Sequence, residues 1–293
     1  MTRVVFYGTS LFSLPSLEAL ALDPTLSVVG VVTQPDRPAG RQGLVTAPPV
    51  KVTAERLGLP VFQFEQVKSD EAYEVLKTLP ADVAVVASFG QIISQRVLDL
   101  YPQGVLNVHP SLLPAYRGAV PMNAAIRDGL KETGITIMLM DALMDHGPIL
   151  AQLKTDIFPT DTTETLSERL SKTSADVLVQ TLHAFLEGGV TPQEQDHAAA
   201  TFVKLLSRED GKIDLRKSAI EIERLVRAYT PWPGTSVDYK EKRLKVLRAH
   251  TSPEPKPTEF TLTCGDGSLL VLDEVQPEGK KPMSGEAFLR GQR

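Results

Sequence analysis

A short apolar run leads into a turn stiffened by prolines at residues 104–118, Gly104-Val105-Leu106-Asn107-Val108-His109-Pro110-Ser111-Leu112-Leu113-Pro114-Ala115-Tyr116-Arg117-Gly118. Side chains two residues apart in a strand point the same way, so Asn107 and His109 share one face. An amide donor and a general base are therefore predicted at the carboxyl end of a strand, where open α/β sheets place their active sites. An isolated Asn-x-His would be better explained as a strand-end histidine capped by its own backbone.

A second apolar stretch ends in polar residues at 134–147, Gly134-Ile135-Thr136-Ile137-Met138-Leu139-Met140-Asp141-Ala142-Leu143-Met144-Asp145-His146-Gly147. Its first half predicts a strand, and the loop after it carries the carboxylates of Asp141 and Asp145. Gly147 permits a tight turn directly behind them. This loop is predicted to complete the site, although spacing alone does not place Asp145 beside His109.

The order of predicted elements gives the fold class. Residues 4–8, 28–32, 61–63 and 81–88 are predicted strands, and apolar residues 14, 17, 20 and 21 indicate a helix after the first. Strands that alternate with helices through about residue 158 predict an α/β domain with a Rossmann-like, mainly parallel sheet. Gly-x-Gly-x-x-Gly is missing, so a nicotinamide dinucleotide is not expected.

The last third of the sequence changes character. A long helix is predicted at 162–186, and the polar residues 193–199 that follow a Gly-Gly break are interpreted as a linker. Beyond it, short strands with tight turns predict a small OB-like β-barrel, an architecture often used to bind nucleic acid. One amphipathic helix precedes these strands, with Ile220, Ile222, Leu225, Val226 and Tyr229 on its apolar face. The predicted domains are 1–187 (catalytic), 188–203 (linker) and 204–293 (C-terminal).

Composition limits the class of protein. The hydrophobic fraction of 42% and charged fraction of 23% are typical of a soluble globular protein. No apolar run approaches the roughly 20 residues of a membrane span, and the single cysteine, Cys264, fits a reducing compartment. We therefore expect a cytoplasmic protein with no membrane partner, and separately we expect a monomer. His183 and His197 lack partners at metal-ligand spacing, so no metal is expected and neither is assigned any chemistry.

The net charge of −5 is unevenly distributed. Residues 1–203 hold 14 Lys and Arg against 22 Asp and Glu, a net −8, and residues 204–293 hold 17 against 14, a net +3. A basic appendage on an acidic body could bind a polyanion, but so small an imbalance also fits a solvated surface.

Four motifs follow one another in unbroken order: Asn107-x-His109-x-Ser111-Leu112-Leu113-Pro114, Arg117-Gly118, Gly134-x-Thr136-Ile137-Met138 and Asp145-x-Gly147. Together they resemble the formyltransferases that use 10-formyltetrahydrofolate. Two further stretches resemble the branch that acts on methionyl-tRNA, namely Gln34-Pro35-Asp36-Arg37-Pro38-Ala39-Gly40-Arg41 and Pro231-Trp232-Pro233-Gly234. The resemblance covers nearly the whole chain.

The resemblance implies transfer of a formyl group from 10-formyltetrahydrofolate, the co-substrate, to the α-amino group of methionyl initiator tRNA. The implied catalytic residues are Asn107, His109 and Asp145. The residues implied to contact the folate are Phe89, Gly90, Ile92, Ser111, Leu112, Leu113, Pro114, Met140 and Asp141. The residues implied to contact the tRNA are Arg37 and Arg41 on the long loop 34–49, and Lys204, Lys212, Arg243, Lys245, Lys280 and Lys281 in the C-terminal domain.

The sequence departs from the family at two places. Gln42-Gly43 stands where a pair of lysines usually follows the arginine, and Asp145-His146-Gly147-Pro148 stands where the family has Asp-Thr-Gly-Asp. We expect His146 to be an exposed loop residue, with a second titrating group as the other interpretation. Three alternatives for the whole chain are an amino-sugar N-formyltransferase, a formyltetrahydrofolate hydrolase-type enzyme on the same catalytic domain, and a non-catalytic RNA-binding protein.

Overall fold

The protein folds into two compact units. A computed structural model describes residues 1–39 and 43–292, so the predicted tRNA contact Arg41 lies outside the described residues. The first unit comprises Met1–Ala119, Gly134–Thr155 and Ser167–Phe202, and the second comprises Val120–Thr133, Asp156–Leu166 and Val203–Arg293. The predicted domain boundaries at 187 and 204 stay a prediction.

The strands are numbered here in chain order. They are β1 (Thr2–Gly8), β2 (Leu26–Thr33), β3 (Arg37–Ala39), β4 (Leu44–Thr46), β5 (Val61–Gln63), β6 (Val83–Ala87), β7 (Val105–His109), β8 (Arg117–Gly118), β9 (Glu132–Leu139), β10 (Ile149–Asp156), β11 (Phe202–Val203), β12 (Thr235–Tyr239), β13 (Lys242–Thr251), β14 (Thr261–Thr263), β15 (Leu269–Pro277) and β16 (Met283–Ser284).

The helices lie between these strands. They are α1 (Leu14–Leu22), α2 (Pro49–Arg56), α3 (Asp70–Leu76), α4 (Gln95–Leu98), α5 (Pro121–Arg127), α6 (Thr163–Leu186), α7 (Ala219–Ala228) and α8 (Gly285–Arg290). Among the described residues, none of these helices is long and apolar enough to cross a membrane.

A seven-stranded sheet with the order β10-β9-β7-β6-β1-β2-β5 organises the first unit. The neighbours β5, β2, β1, β6 and β7 run parallel, and β9 is antiparallel to β7. The parallel strands β1, β2, β6 and β7 are mostly buried, as both faces of such a sheet are covered by other elements, and the edge strand β5 is half-buried. The predicted Rossmann-like, mainly parallel sheet is therefore confirmed, including the short strand at 61–63.

Two short strands lie within the predicted long loop 34–49. Strands β3 and β4 pair antiparallel, with Arg37 opposite Thr46. Leu44 and Val45 on β4 are 63% and 70% exposed. Strand β4 therefore exposes two apolar side chains to solvent.

The second unit contains a small antiparallel sheet, in the order β12-β13-β15-β14 with β16 beside β15. Its helix α7 begins with a capping box, in which Ser218 and Glu221 exchange hydrogen bonds with each other's backbone. Ile222, Leu225 and Val226 of α7 are buried. A β domain after the α/β unit is confirmed.

One residue that was predicted to lie on the apolar face of α7 is exposed instead. Ile220 is 44% exposed, whereas Tyr229 is 4% exposed. Residues 222, 225, 226 and 229 follow the spacing of one helical face, and residue 220 does not. The prediction for Ile220 is therefore wrong because apolar character was counted without regard to helical phase.

Candidate functional site

Strand β7 carries the first two site residues at its carboxyl end. His109 is opposite Thr136 on β9, and Asn107 is opposite Met138. Both side chains project from one face of β7, as their spacing predicts. His109 is 4% exposed, and Asn107 is half-buried. The end of an interior strand therefore holds an amide and an imidazole side by side.

One carboxylate oxygen brings the three predicted catalytic residues together. Asp145 Oδ1 lies 3.3 Å from Asn107 Nδ2 and 3.5 Å from His109 Nδ1. Its other oxygen, Oδ2, accepts the Gly118 backbone N–H at 2.7 Å. The loop after β9 thus returns to the end of β7, a contact that sequence spacing alone did not supply.

The second ring nitrogen of His109 fixes the protonation pattern of the imidazole. His109 Nε2 lies 3.0 Å from the carbonyl oxygen of Tyr116. A carbonyl oxygen only accepts, so Nε2 carries a proton and donates it to this bond. The other ring nitrogen, Nδ1, faces Asp145.

The turn after β7 is held by the hydroxyl of Thr136. This side chain is fully buried. Thr136 Oγ1 donates to the Ser111 carbonyl at 2.7 Å and accepts the Leu113 N–H at 3.1 Å. It also accepts from Gln152 Nε2 at 3.0 Å. Ser111 Oγ donates within the turn to the Ala115 carbonyl at 2.7 Å. The turn that presents His109 is thus anchored on the neighbouring strand.

Asp145 adopts an unusual backbone conformation. Its φ is +48°, in the left-handed region that costs a residue with a side chain about 1–2 kcal/mol. At Gly147, a Cβ would lie 2.1 Å from the Leu139 carbonyl oxygen, so only glycine fits there. The loop is therefore strained and tightly folded, as functional loops often are.

His146 is not the exposed loop residue that we predicted. Its side chain is 30% exposed, and its Nδ1 donates to Asp141 Oδ2 at 2.6 Å. Its ring stacks on that of His197, with 4.0 Å between centroids and 3° between planes. The prediction failed because the partner ring comes from a distant segment. Asp141, a predicted folate contact, is engaged in this loop through both His146 and the Leu143 N–H.

Sequence reasoning gave no role to three polar residues behind this loop, of which Arg117 and Gln195 are buried and His197 is exposed. Gln195 Nε2 donates to the carbonyls of Asp145 and Gly147 at 2.9 and 2.7 Å. Gln195 Oε1 accepts from Arg117 Nε and Nη2 at 3.2 and 2.6 Å. Arg117 Nη2 also donates to His197 Nδ1 at 2.9 Å. Gln195 lies in the polar segment interpreted as a linker, and no local pattern signals its burial. The Arg117-Gly118 motif was the one feature of the sequence that pointed to any of these residues.

The predicted folate contacts differ widely in exposure. Phe89 and Leu113 are 2% and 3% exposed, and Ile92 is 72% exposed. Phe89 packs edge-on against Tyr7, with 5.3 Å between ring centroids. Gly90 has a φ of +80° and lies against Gln34, whose Nε2 donates to the Phe89 carbonyl at 3.0 Å. Leu112, Pro114 and Met140 are partly exposed. Contact of these residues with folate stays a prediction.

The predicted tRNA contacts described in the second unit are all exposed: Lys204, Lys212, Arg243, Lys245, Lys280 and Lys281. Two of them contact other side chains: Lys212 forms an ion pair with Asp238 at 3.0 Å, and Arg243 donates a hydrogen bond to Ser236 Oγ at 3.1 Å. In the first unit, Arg37 pairs with the exposed Glu65. Exposed pairs of this kind are weak, so a phosphate could compete for these cations.

A metal centre has no visible basis in the described part of the chain. Among residues 1–39 and 43–292, no group of three or more His, Cys, Asp or Glu side chains could hold a metal ion. The site is therefore described by its amide, imidazole and carboxylate groups.

Comparison with known proteins gives the family. The formyl transferase model matches residues 2–182, and the formyl transferase C-terminal domain model matches residues 205–293. Methionyl-tRNA formyltransferase of Roseiflexus castenholzii is 47% identical over 302 residues, covering 99% of this chain and 96% of the relative. The protein of that name from Chloroflexus aurantiacus is 44% identical over 300 residues, with 99% and 96% coverage.

A solved structure shares the fold at low sequence identity. The N-formyltransferase from Helicobacter canadensis, in complex with folinic acid and dTDP-3-aminofucose, has a TM-score of 0.71 and 16% identity, covering 93% of this chain and 99% of that one. That likeness concerns the fold, whereas the sequence relatives match this chain along its length at far higher identity. On this evidence, the chain belongs to the methionyl-tRNA formyltransferase family.

Proposed function

We propose that the protein transfers the formyl group of 10-formyltetrahydrofolate to the α-amino group of methionyl initiator tRNA at Asn107, His109 and Asp145. Family membership supports the reaction, and the observation that supports the site is the meeting of Asn107 and His109 at Asp145 Oδ1. Such an enzyme primes translation initiation and acts in the cytoplasm, and we propose that it acts as a monomer.

The incoming nucleophile needs little activation. A free α-amino group has a pKa of about 7.7–8.0, so roughly 10–20% of it is already neutral near pH 7. Its nitrogen attacks the formyl carbon, and a C–N bond forms while the formyl oxygen gains negative charge. The protein must therefore stabilise that oxygen and move one proton.

Asn107 supplies the donor for the developing oxyanion. An amide N–H keeps its proton at every pH of interest, so its donor role does not depend on titration. One preorganised donor of this kind typically contributes about 3 kcal/mol to transition-state stabilisation. Asn107 Nδ2 is held by Asp145 Oδ1 before substrate arrives, which leaves its second N–H for the formyl oxygen.

His109 Nδ1 accepts and returns the proton, and Asp145 stabilises the charge on the ring. The attacking nitrogen loses a proton as the new C–N bond forms, and the folate nitrogen must gain one as the old C–N bond breaks. Nδ1 can take up that proton because Nε2 is committed to the Tyr116 carbonyl. Asp145 stabilises the imidazolium until the proton passes to the leaving nitrogen. The present 3.5 Å separation is long for a hydrogen bond, and such contacts often tighten in the substrate complex.

The substrates are recognised by separate parts of the chain. We propose that the folate ring packs beside Phe89, Gly90 and Ile92 and along the loop after β9. The exposed cations of the second unit bind tRNA phosphates, and Arg37 and Arg41 act near the acceptor end. No metal takes part in this scheme.

A direct assay distinguishes this function from its alternatives. The protein is incubated with 10-formyltetrahydrofolate and either methionyl initiator tRNA, a dTDP-amino sugar or water alone. We expect formyl-methionine on the tRNA and only slow release of formate without it. Formylation of the sugar alone would favour the amino-sugar enzyme, and rapid formate release in water would favour the hydrolase. An inactive protein that binds tRNA would support the non-catalytic alternative.

A further inference from the structure

A buried cation lies behind the Asp145 loop with neutral partners. Arg117 is 3% exposed and Gln195 is 5% exposed. In the described structure, the guanidinium donates to the amide oxygen of Gln195 and to His197 Nδ1, and it lies 5.9 Å from the Phe202 ring. Burial of a charge against neutral groups opposes folding. The placement of Arg117 therefore needs an explanation in function.

Arg117 fixes the orientation of the Gln195 amide. An amide group can be turned end over end unless its partners distinguish oxygen from nitrogen. Two N–H groups of Arg117 point at Gln195 Oε1, which forces Nε2 toward the loop. Nε2 then bonds the carbonyls of Asp145 and Gly147, on both sides of His146.

These bonds hold a residue that lies in a strained backbone conformation. Asp145 has a φ of +48°, and its carbonyl is fixed by Gln195 while its carboxylate is fixed by Gly118. The His197 ring covers the His146 ring from the same segment that carries Gln195. The backbone beneath Asp145 is thus clamped from residues 195–197.

We propose that Arg117 and Gln195 are positioning residues for formyl transfer, which act by holding Asp145 Oδ1 against Asn107 and His109. This inference rests on the proposed function, since it assigns Asp145 a part in the reaction. A small displacement of a reacting group can lower a rate by about 10²-fold. Loss of the Gln195 donor should therefore reduce kcat by roughly 10–100-fold and leave KM for both substrates unchanged.

Gln195→Glu is the sharpest variant, because it nearly preserves shape and strengthens the contact with Arg117. It replaces only the nitrogen that bonds the Asp145 and Gly147 carbonyls. Asn123→Asp is the matched control, since Asn123 is 9% exposed and its Nδ2 donates to the Ala228 carbonyl at 2.7 Å within the second unit. We expect Q195E to lower kcat and N123D to change only the denaturation midpoint. If Q195E does not fold, Q195M removes the Nε2 donor without adding a charge, although it also removes the Oε1 acceptor of Arg117.

A double-mutant comparison with Asp145→Asn separates positioning from general destabilisation. If Gln195 acts through Asp145, Q195E lowers kcat in the wild-type background and has no further effect in D145N. Wild-type kcat in Q195E, or an equal loss in both backgrounds, overturns the inference. Wild-type kcat in D145N alone would instead overturn the proposed role of Asp145, so the two failures are distinguishable.

Discussion

His109 Nδ1 lies 3.5 Å from Asp145 Oδ1, although the two residues belong to different elements of the first unit. His109 ends the buried strand β7, and Asp145 lies on the loop after β9. Strand β9 runs antiparallel to β7 and ends beside Leu106, so the loop after it must return along β7 for Asp145 to reach His109. The proposed catalytic arrangement thus depends on a strained loop that returns to the strand on which the other two residues lie.

The Thr136 hydroxyl should matter for stability more than its size implies. Thr136→Val keeps the shape of the side chain but removes the partner of Ser111, Leu113 and Gln152. Leaving a buried polar group without a partner costs about 1–3 kcal/mol. We expect T136V to lose at least this much free energy of unfolding, as measured by urea denaturation.

Thr181→Val is the control for that prediction. Thr181 is 6% exposed and lies on α6, where its hydroxyl donates to the Val177 carbonyl. That carbonyl is in a helix, so losing the extra bond should cost under about 1 kcal/mol. Equal effects of T136V and T181V would mean that Thr136 does not anchor the turn.

A second prediction concerns acid stability. Hydrogen bonds from Arg3 lower the pKa of Asp82 to about 2. A lowered pKa in the folded state stabilises the fold above the unfolded pKa of about 3.9, and this contribution is lost as the pH falls toward 2. Asp82→Asn should therefore cost no more than about 1 kcal/mol at pH 7, because the pair is solvent-exposed. The difference from wild type should shrink between pH 4 and pH 2. A stability difference between D82N and wild type that is the same at pH 4 and pH 2 would show that the Asp82 pKa is not its cause.

Hydrophobic and polar patterns predict much of the fold, and only part of the site. The buried strands β1, β6 and β7 are apolar runs whose signal is local. The shared face of Asn107 and His109 follows from the period of a strand. Helical phase also explains the one error on α7, where Ile220 faces solvent.

The part of the site that the sequence did not predict depends on contacts between polar residues that are distant in the chain. Arg117 and Gln195 satisfy each other's hydrogen bonds, so neither of them needs an apolar neighbourhood to be buried. The sequence around Gln195 is polar and irregular, which indicates a linker by the usual criteria. Asp145 could be placed beside His109 only through family resemblance, because a strained loop has no periodic pattern.

A third prediction concerns tRNA binding by the second unit. Lys280 and Lys281 are exposed, and each phosphate contact contributes about 0.9 to the slope of log affinity against log salt on duplex nucleic acid. Replacing both by Ala should lower the slope by up to about 2 units and weaken binding at low salt. Lys77 and Lys172, two exposed lysines of the first unit, serve as the matched pair. A slope that falls equally in both double variants would show a nonspecific charge effect instead.

The central claim is that formyl transfer occurs where Asn107 and His109 meet Asp145. Its most direct test is the single-turnover rate of formyl-methionyl-tRNA formation in Asn107→Ala, measured with saturating 10-formyltetrahydrofolate and alongside the Kd for tRNA. Loss of one oxyanion donor predicts a fall of roughly 10²–10³-fold in that rate, with the Kd unchanged. A rate close to that of wild type in a folded N107A protein would contradict the account.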